Sequence, residues 1–381
     1  MGTPLPRWCQ GGRGRAVEDT SAEPGRSGTN RDAVVVILRI LIAAAAYYAA
    51  AELGLRLAAV HGHIAPLWLP IGVAIVCLLL FGPWTCAGIA LAAFVVNLPL
   101  GPSIPAVAMI AVGDTIAPLC AYLLLGRAGF HLELDRLRDA VALIFLGAFG
   151  STMISATVGA TALVFGGGVP AGQSWQTWSV WWTGDMMGVL VIVPFLLVLR
   201  TARFRDLSAV RWLELAALIA GTLVLAVAVT ANSYDLLFLV FPPLIWAALR
   251  FGHTGAVPCV LIVALAAAMA ATRGVGPFAH HGVFGRLVTL QTFNSAVALT
   301  ALLLATMVSE RDSARRAIDR VAADLTKMTD DLDHGQRTLK GMGLDLMRAQ
   351  RPPADGITGG NADTADRTRR RAVGGDGDPP A

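Results

Sequence analysis

The sequence predicts an all-α membrane protein, a polytopic bundle of about ten transmembrane helices followed by a cytoplasmic coiled-coil helix. Of its 381 residues, 55% are hydrophobic and 15% are charged, whereas soluble domains contain about 25% charged residues. The mean hydropathy is +0.62. Long apolar runs recur along the chain, and about 20 apolar residues are enough to span a bilayer as a helix. These observations argue against a soluble enzyme and predict that the lipid bilayer is the main partner.

Ten apolar runs give the helix count. They cover residues 33–60, 66–81, 84–100, 103–126, 139–164, 175–199, 210–230, 235–250, 253–272 and 287–308. The second, third and eighth runs are short, and Pro242 and Pro243 interrupt the eighth, since proline lacks the N–H group that a helix interior needs. Counts of eight or nine helices with a re-entrant segment therefore stay open.

The arginines predict the orientation. With the N-terminus inside, the cytoplasmic segments contain Arg7, Arg13, Arg15, Arg26, Arg31, Arg127, Arg136, Arg138, Arg200, Arg203, Arg205, Arg211, Arg250 and the stretch from Arg311. The outer loops then contain only Arg273 and Arg286. This asymmetry follows the positive-inside rule, so we expect a multi-pass protein of the plasma membrane with both termini in the cytoplasm. Tryptophans near predicted helix ends are typical of the membrane interface; they are Trp68, Trp84, Trp175, Trp178 and Trp212.

The residues after the last apolar run predict a coiled coil. Apolar residues recur there at spacings of three and four: Ile318, Val321, Leu325, Met328, Leu332, Leu339, Met342 and Leu346. This is the heptad period of a coiled coil, and it predicts a homodimer through residues 318–346. Gly335 occupies one core position and weakens the pattern. A single amphipathic helix on the membrane surface is the alternative.

The composition divides the chain into four segments. Residues 1–32 are polar, without the apolar core of a signal peptide, and we expect a disordered cytoplasmic segment. The membrane domain covers residues 33–308 and the coiled-coil helix covers 309–350. Residues 351–381 are rich in Gly, Pro, Asp and Arg, a composition that cannot bury a core, so we expect a disordered tail.

The chemistry-bearing motifs of enzymes are missing from the sequence. The five cysteines, which lack the CxxC spacing of metal sites, are Cys9, Cys77, Cys86, Cys120 and Cys259. We find no nucleophile motif and no phosphate-binding loop. We therefore expect no metal, no cofactor, no nucleic-acid partner and no enzymatic activity.

Polar residues within the apolar runs mark a candidate ligand site. Asp114 and Asp185 each follow a glycine near the middle of a run, and acids at membrane depth are rare and often functional. The candidate ligand-binding residues are Asn97, Asp114, Ser155, Trp181, Trp182, Asp185 and Asn294. Their spacing predicts that Trp178, Trp181 and Trp182 share a helix face with Asp185, and such an aromatic wall could hold an organic cation.

Two alternatives remain for the acids. In a helix-packing notch, glycine allows close approach and each Asp bonds to a neighbouring Ser, Thr or Asn. Ser151, Thr152 and Ser155, together with Asn97 and Asn294, could provide these partners. In a secondary transporter or channel, Asp114 and Asp185 would be the coupling acids.

Several sequence blocks together resemble the type-one membrane-associated sensor domain of the MASE family. They are Trp68–Gly72 with Phe81 and Gly82, Gly88–Asn97, Gly113 with Asp114, Ser151–Gly159 (STMISATVG), the WWTGD block from Trp181 to Asp185 with Gly188 and Pro194, IWAALRFGHTGA from Ile245, Gly276–Phe278, and LQTF from Leu290. The resemblance covers residues 35–312. It implies an integral membrane sensory module of bacteria, a module that usually precedes a histidine kinase, diguanylate cyclase or phosphodiesterase.

The sequence after Gln350 is too short and too polar for such an output domain. We therefore expect a membrane sensor that transmits a stimulus through its last helix and coiled coil to a separate cytoplasmic kinase or cyclase. A transporter that uses Asp114 and Asp185 is the main alternative. An assembly scaffold, in which the coiled coil is the functional part, is a third reading.

Overall fold

The computed structural model describes residues 26–58, 67–201, 208–232, 236–279 and 282–349. Residues 1–25 of the first segment predicted to be disordered (1–32) and the whole of the second (351–381) lie outside this part. Residues 26–32, which belong to the first of these segments, already form the beginning of a helix.

Ten helices and no strand make up the described residues. The helices are α1 (Arg26–Ala58), α2 (Leu69–Phe81), α3 (Cys86–Asn97), α4 (Ile104–Arg127), α5 (Leu137–Phe165), α6 (Ser174–Thr201), α7 (Ala209–Ala231), α8 (Phe241–Phe251), α9 (His253–Arg273) and α10 (Val283–Ala349). Each corresponds to one predicted apolar run. Seven contain stretches long and apolar enough to span a membrane, and α2, α3 and α8 are shorter. The all-α polytopic fold is thus confirmed.

The two prolines of the eighth run begin a helix and do not interrupt one. Pro242 and Pro243 lie in the first turn of α8, directly after Phe241. Backbone N–H groups in a first turn have no acceptor within the helix, so proline is tolerated there. A 3₁₀ turn, Leu237–Val240, comes before, and the eighth run is therefore a turn followed by a helix of 11 residues.

Helix α5 is not uniform along its length. Its middle, Leu143–Gly150, is π-helical, and α-helical turns flank it on both sides. The hydroxyl groups of Ser151 and Thr152 donate to the carbonyl groups of Gly147 and Ala148 within the same helix. These two side chains, both proposed as partners for the acids, therefore bond to their own backbone.

Glycines bring the membrane helices into close backbone contact. A methyl group at Gly88 of α3 would come 2.3 Å from the Ile40 carbonyl oxygen of α1. At Gly72 of α2 it would come 2.5 Å from the Gly188 carbonyl oxygen of α6. Small residues at helix contacts are the usual means of close packing in membranes.

At one end of the bundle, two connections meet α10. His253 Nε2 lies 2.9 Å from the Leu134 carbonyl oxygen and 3.4 Å from Thr306 Oγ1 on α10. The Leu137 backbone N–H donates to the Glu310 carboxylate at 3.3 Å. The connection before α5, the start of α9 and residues 306–310 of α10 are therefore adjacent, and we call this contact the His253 junction.

At the other end of the bundle, the connection between α3 and α4 packs against the connection between α5 and α6. A methyl group at Gly166 would come 2.7 Å from Pro102 Cγ, and one at Gly168 would come 3.1 Å from the same atom. Ser103 caps α4 by accepting the Ala106 backbone N–H. Residues of both connections line the pocket that contains Asp185.

Helix α10 changes character along its length. Leu290, Val297 and Leu302 are buried in the bundle core. The residues up to Ala317 belong to one compact unit, and a second unit begins at Ile318. From Ile318 onwards the predicted heptad residues are exposed. Ile318, Leu325, Leu332 and Leu339 are 59–70% exposed. The apolar stripe of the predicted coiled coil is thus present on a helix, and the dimer itself stays a prediction.

Candidate functional site

Asp114 is the centre of a buried hydrogen-bond network that joins four helices. Tyr47 of α1 donates its hydroxyl to Oδ2 of Asp114 at 3.2 Å. Ser155 of α5 donates to Oδ1 at 2.9 Å, and Trp181 of α6 donates its indole N–H to the Ser155 hydroxyl at 3.2 Å. Both carboxylate oxygens of Asp114 are therefore satisfied, as buried polar groups usually are.

Asp185 has a different environment, although its local sequence is the same Gly-Asp pair. Its side chain is 1% exposed, and neither carboxyl oxygen has a hydrogen-bond partner among the described residues. Ser155 and Trp181 lie beside this carboxyl group, and Asp114 is near enough for the two acids to interact electrostatically. A buried carboxyl group without a partner is costly, so Asp185 is the member of the cluster that remains to be satisfied.

The start of α2 is fixed against α6 next to Asp185. The Trp68 backbone N–H donates to the Gly184 carbonyl oxygen at 3.1 Å. Gly188 permits this approach, because a methyl group there would come 2.0 Å from the Trp68 carbonyl oxygen. The WLPIG and WWTGD blocks therefore pack against each other. Trp68 lies beside Gly184, the residue directly before Asp185 on α6.

Trp181 is fixed from the opposite side. Its ring lies over Gly159 of α5, where a methyl group would come 2.6 Å from Cζ2. Its indole N–H donates to the hydroxyl of Ser155, which lies four residues before Gly159 on α5. Because i and i+4 share a helix face, Trp181 and Asp185 lie on one side of α6, and Ser155 and Gly159 lie on one side of α5.

These groups enclose a pocket of about 410 Å³, which we call the Asp185 pocket. Its walls include Trp68, Asn97, Ile110, Leu163, Trp181 and Asp185. The remaining lining comes mainly from the two connections that pack together at one end of the bundle, at residues 100–102 and 168–169. Helix α6 rises roughly 16 Å between Ser174 and Asp185 at 1.5 Å per residue. The pocket thus extends from the chain connections down towards the middle of α6.

The other tryptophans of α6 form a separate stack. Trp178 lies 5.0 Å from Trp175 and 5.3 Å from Trp182, both in stacked geometry. Trp182 meets Phe149 edge-on at 5.8 Å and donates its indole N–H to the Phe149 carbonyl oxygen. The single face expected for Trp178, Trp181, Trp182 and Asp185 is therefore divided, and Trp182 belongs to this stack.

The remaining candidate residues have individual roles. Asn97 lines the pocket, and its side-chain N–H donates to the Ala93 carbonyl oxygen. Asn294 of α10 is 1% exposed, and neither polar atom of its side chain has a partner among the described residues. It is not one of the residues that line the Asp185 pocket.

Sequence reasoning missed Tyr47 and the role of Trp68. Tyr47 lies within an apolar run, where a tyrosine is easily read as part of the apolar surface. Trp68 precedes a helix start and was expected at the membrane interface. Its place directly before Leu-Pro, and in the same set of blocks as the WWTGD segment, was the available signal.

The arrangement has the chemical groups of a small-molecule binding site. It offers one unsatisfied carboxyl group, two indole rings and apolar side chains around a cavity. Among the described residues, no cluster of His, Cys, Asp and Glu side chains could hold a metal ion.

One of three comparisons with known proteins identifies a family for this chain. No curated protein and no solved structure gives a significant match. Residues 38–312 match the MASE1 family, and this range includes every candidate residue of the pocket and of the Asp114 network. Since the match extends over more than two thirds of the 381 residues, the chain belongs to the MASE1 family of membrane-associated sensor domains.

Proposed function

We propose that this chain is a bacterial plasma-membrane sensor that binds its stimulus in the Asp185 pocket and transmits it through α10 to a cytoplasmic partner, a kinase or cyclase. The chain would signal by conformation, without catalysis of its own. Such a switch needs a ligand whose affinity differs between two states of the protein. Family membership supports sensing, and the pocket supplies a place for the ligand.

The observation that carries the proposal is the double character of α10. The part up to Val308 contributes buried residues to the bundle core, and the part from Ile318 presents an exposed apolar stripe with heptad spacing. A movement of the first part within the bundle would therefore be delivered to the second part along one helix. An exposed stripe of this kind is suited to a protein partner.

Two contacts link α10 to the elements of the site. The Ser295 hydroxyl of α10 lies 3.9 Å from the sulfur of Met187 on α6, two residues after Asp185. At the His253 junction, Thr306 and Glu310 of α10 bond to the start of α9 and to the start of α5. A ligand that displaces α6 would therefore disturb α10 at Ser295, near the pocket. A ligand that displaces α5 would disturb α10 at the His253 junction, at the opposite end of the bundle.

The heptad pattern favours a parallel homodimer through residues 318–346. In a parallel pair the g positions face the e positions of the partner, so Asp324 and Asp331 would face Thr329 and Gln336. In an antiparallel pair, g would face g and the acids would oppose each other. Two copies in one membrane also place their last helices in the same direction.

Cysteine crosslinking tests the dimer. In a background without native cysteines, Val321→Cys should crosslink between copies in membranes, because Val321 occupies a core d position. Leu325→Lys should reduce this crosslinking about tenfold, since a charge at an a position destabilises the core. Thr326→Lys, at the neighbouring surface position, is the matched control and should leave it unchanged. Equal crosslinking in both variants would favour a helix on the membrane surface.

Transport is the competing function. A transporter would couple solute movement to both acids, yet only Asp185 lacks a hydrogen-bond partner among the described residues. Solute flux in liposomes that depends on Asp185, with no ligand response in the Val321→Cys crosslinking, would replace the sensor proposal with a transporter.

A further inference from the structure

We propose that the Asp185 pocket binds a small organic cation, an amine or quaternary ammonium compound with apolar substituents. Asp185 would be the counter-ion, and Trp68 and Trp181 would be the aromatic walls. This inference rests on the proposed function for the use of the pocket, and it adds the chemical class of the ligand.

The first step concerns the charge. Asp185 is buried, lines the pocket and has no hydrogen-bond partner among the described residues. Asp114 adds a second acid within electrostatic reach, and the lining residues that the structure describes include no Lys, Arg or His. These groups disfavour an anion, whereas a cation supplies the counter-charge that a buried carboxylate needs. A protonated amine also donates N–H groups to that carboxylate.

The second step concerns the walls. Indole is the ring that attracts cations most strongly, and the attraction grows when water is excluded. Both Trp68 and Trp181 line the pocket. The hydrogen bonds that hold them, Trp68 to Gly184 and Trp181 to Ser155, use the backbone N–H of one and the indole N–H of the other. The Trp181 ring packs over Gly159 and also lines the pocket.

The third step separates an organic cation from a metal ion. Hard metal cations require several oxygen ligands, and the side chains of the lining residues offer oxygen at Asp185 and Asn97. Ile110, Leu163, Leu100 and Val169 form apolar surface around them. A volume of about 410 Å³ is in the range of small-molecule pockets. The lining therefore fits a charged nitrogen at one end of an otherwise apolar molecule.

Two matched pairs of compounds test the inference on the full chain in nanodiscs. Choline is compared with its neutral isostere 3,3-dimethyl-1-butanol, and 2-phenylethylamine with 2-phenylethanol. Binding is measured by calorimetry and by thermal stabilisation. We expect at least one cation to bind about tenfold or more tightly than its neutral isostere, as loss of a desolvated charge interaction would give.

Variants assign the interaction to the pocket. Asp185→Asn should abolish the preference for the cation, and the unfolding temperature of the ligand-free protein should not fall. Trp181→Leu should weaken binding of the cation more than binding of the alcohol. Trp178→Phe is the matched control, since Trp178 belongs to the stack with Trp175 and Trp182, and it should bind like the unmodified protein.

The outcomes separate the ligand class from the sensor proposal. Equal binding of both members of each pair, or no binding of either cation at millimolar concentration, would overturn the organic-cation inference. Cation binding that leaves Val321→Cys crosslinking unchanged would instead overturn signalling through α10, and the ligand class would stand.

Discussion

Two residues with the same local sequence acquire different chemistry from their neighbours. Gly113-Asp114 and Gly184-Asp185 both lie in the middle of membrane helices. Asp114 receives hydrogen bonds from Tyr47 and Ser155, whereas Asp185 faces a cavity. The sequence leaves a packing notch and a ligand site as alternatives. The fold has a hydrogen-bonded notch at Asp114, and it has a cavity at Asp185, where we propose that the ligand binds.

Neutral substitutions should distinguish the two acids in the ligand-free protein. Asp114→Asn replaces one acceptor with an NH2 group, and the hydroxyl that donates to that position has to turn and accept instead. We therefore expect a loss of up to about 1–3 kcal/mol in the free energy of unfolding. Asp185→Asn breaks no hydrogen bond with a described residue and removes a buried acid, so stability should stay the same or rise. Thermal unfolding in nanodiscs measures both, and equal losses would contradict this division of roles.

Ser155→Ala provides an independent check on the network. It removes the hydroxyl that donates to Asp114 and accepts from Trp181, so it should destabilise the protein in the way that Asp114→Asn does. If its unfolding temperature matched that of the unmodified protein, the network would not contribute to stability.

Among the elements, the bundle depends on places where helix backbones almost touch. The glycine at position 188 of α6 and the first residues of α2 make the contact that fixes Trp68. A methyl group added at position 188 would meet the backbone carbonyl group of Trp68, and backbone atoms cannot rotate away as a flexible side chain can. The shape of the pocket therefore depends on the packing of α2 against α6, because this contact positions Trp68.

Gly188→Ala should disturb the pocket more than an ordinary glycine substitution. The new methyl group would come 2.0 Å from the Trp68 carbonyl oxygen, and overpacking of this kind costs about 1–3 kcal/mol or more. Gly221→Ala on α7 is the control, because no atom of a residue that the structure describes lies within 4 Å of its added methyl group. It should stabilise the helix by up to about 1 kcal/mol. Similar unfolding temperatures for the two variants would show that α2 does not pack on α6 in this way.

The sequence predicted the elements well because membrane helices are long and apolar. It could not predict the π-helical segment Leu143–Gly150, since a change in backbone pattern leaves the apolar run unchanged. It predicted Asp114, Asp185, Trp181 and Asn97 as site residues, because acids, amides and glycine pairs stand out in apolar surroundings. It could not divide Trp181 from Trp182, since adjacent residues differ in direction by only about 100° at 3.6 residues per turn.

For the whole molecule, the arginine distribution and the fold give one consistent orientation. The His253 junction joins the connection that contains Arg136 to residues 306–310, just before the Arg-rich stretch from Arg311. The pocket opens among the connections at residues 100–102 and 168–169, which contain no arginine. The proposed cytoplasmic side is therefore the end of the junction, and the pocket would open on the outer side.

Reporter fusions test this orientation. Fusions after residues 130 and 205 should report cytoplasm, and fusions near residues 170 and 280 should report the outside, because the positive-inside rule retains arginine-rich segments. An external signal after residue 205 would contradict the ten-helix topology and would place the pocket opening on the cytoplasmic side.

The four-helix network around Asp114 also constrains how the protein is made. Asp114 lies near the centre of α4, a position at which an Asp costs about 2.5–3.5 kcal/mol during insertion by the translocon. When α4 leaves the ribosome, α1 with Tyr47 has already been synthesised, while Ser155 and Trp181 follow on α5 and α6. Tyr47 can therefore shield the acid during biogenesis, and the network closes only when α6 has entered the membrane.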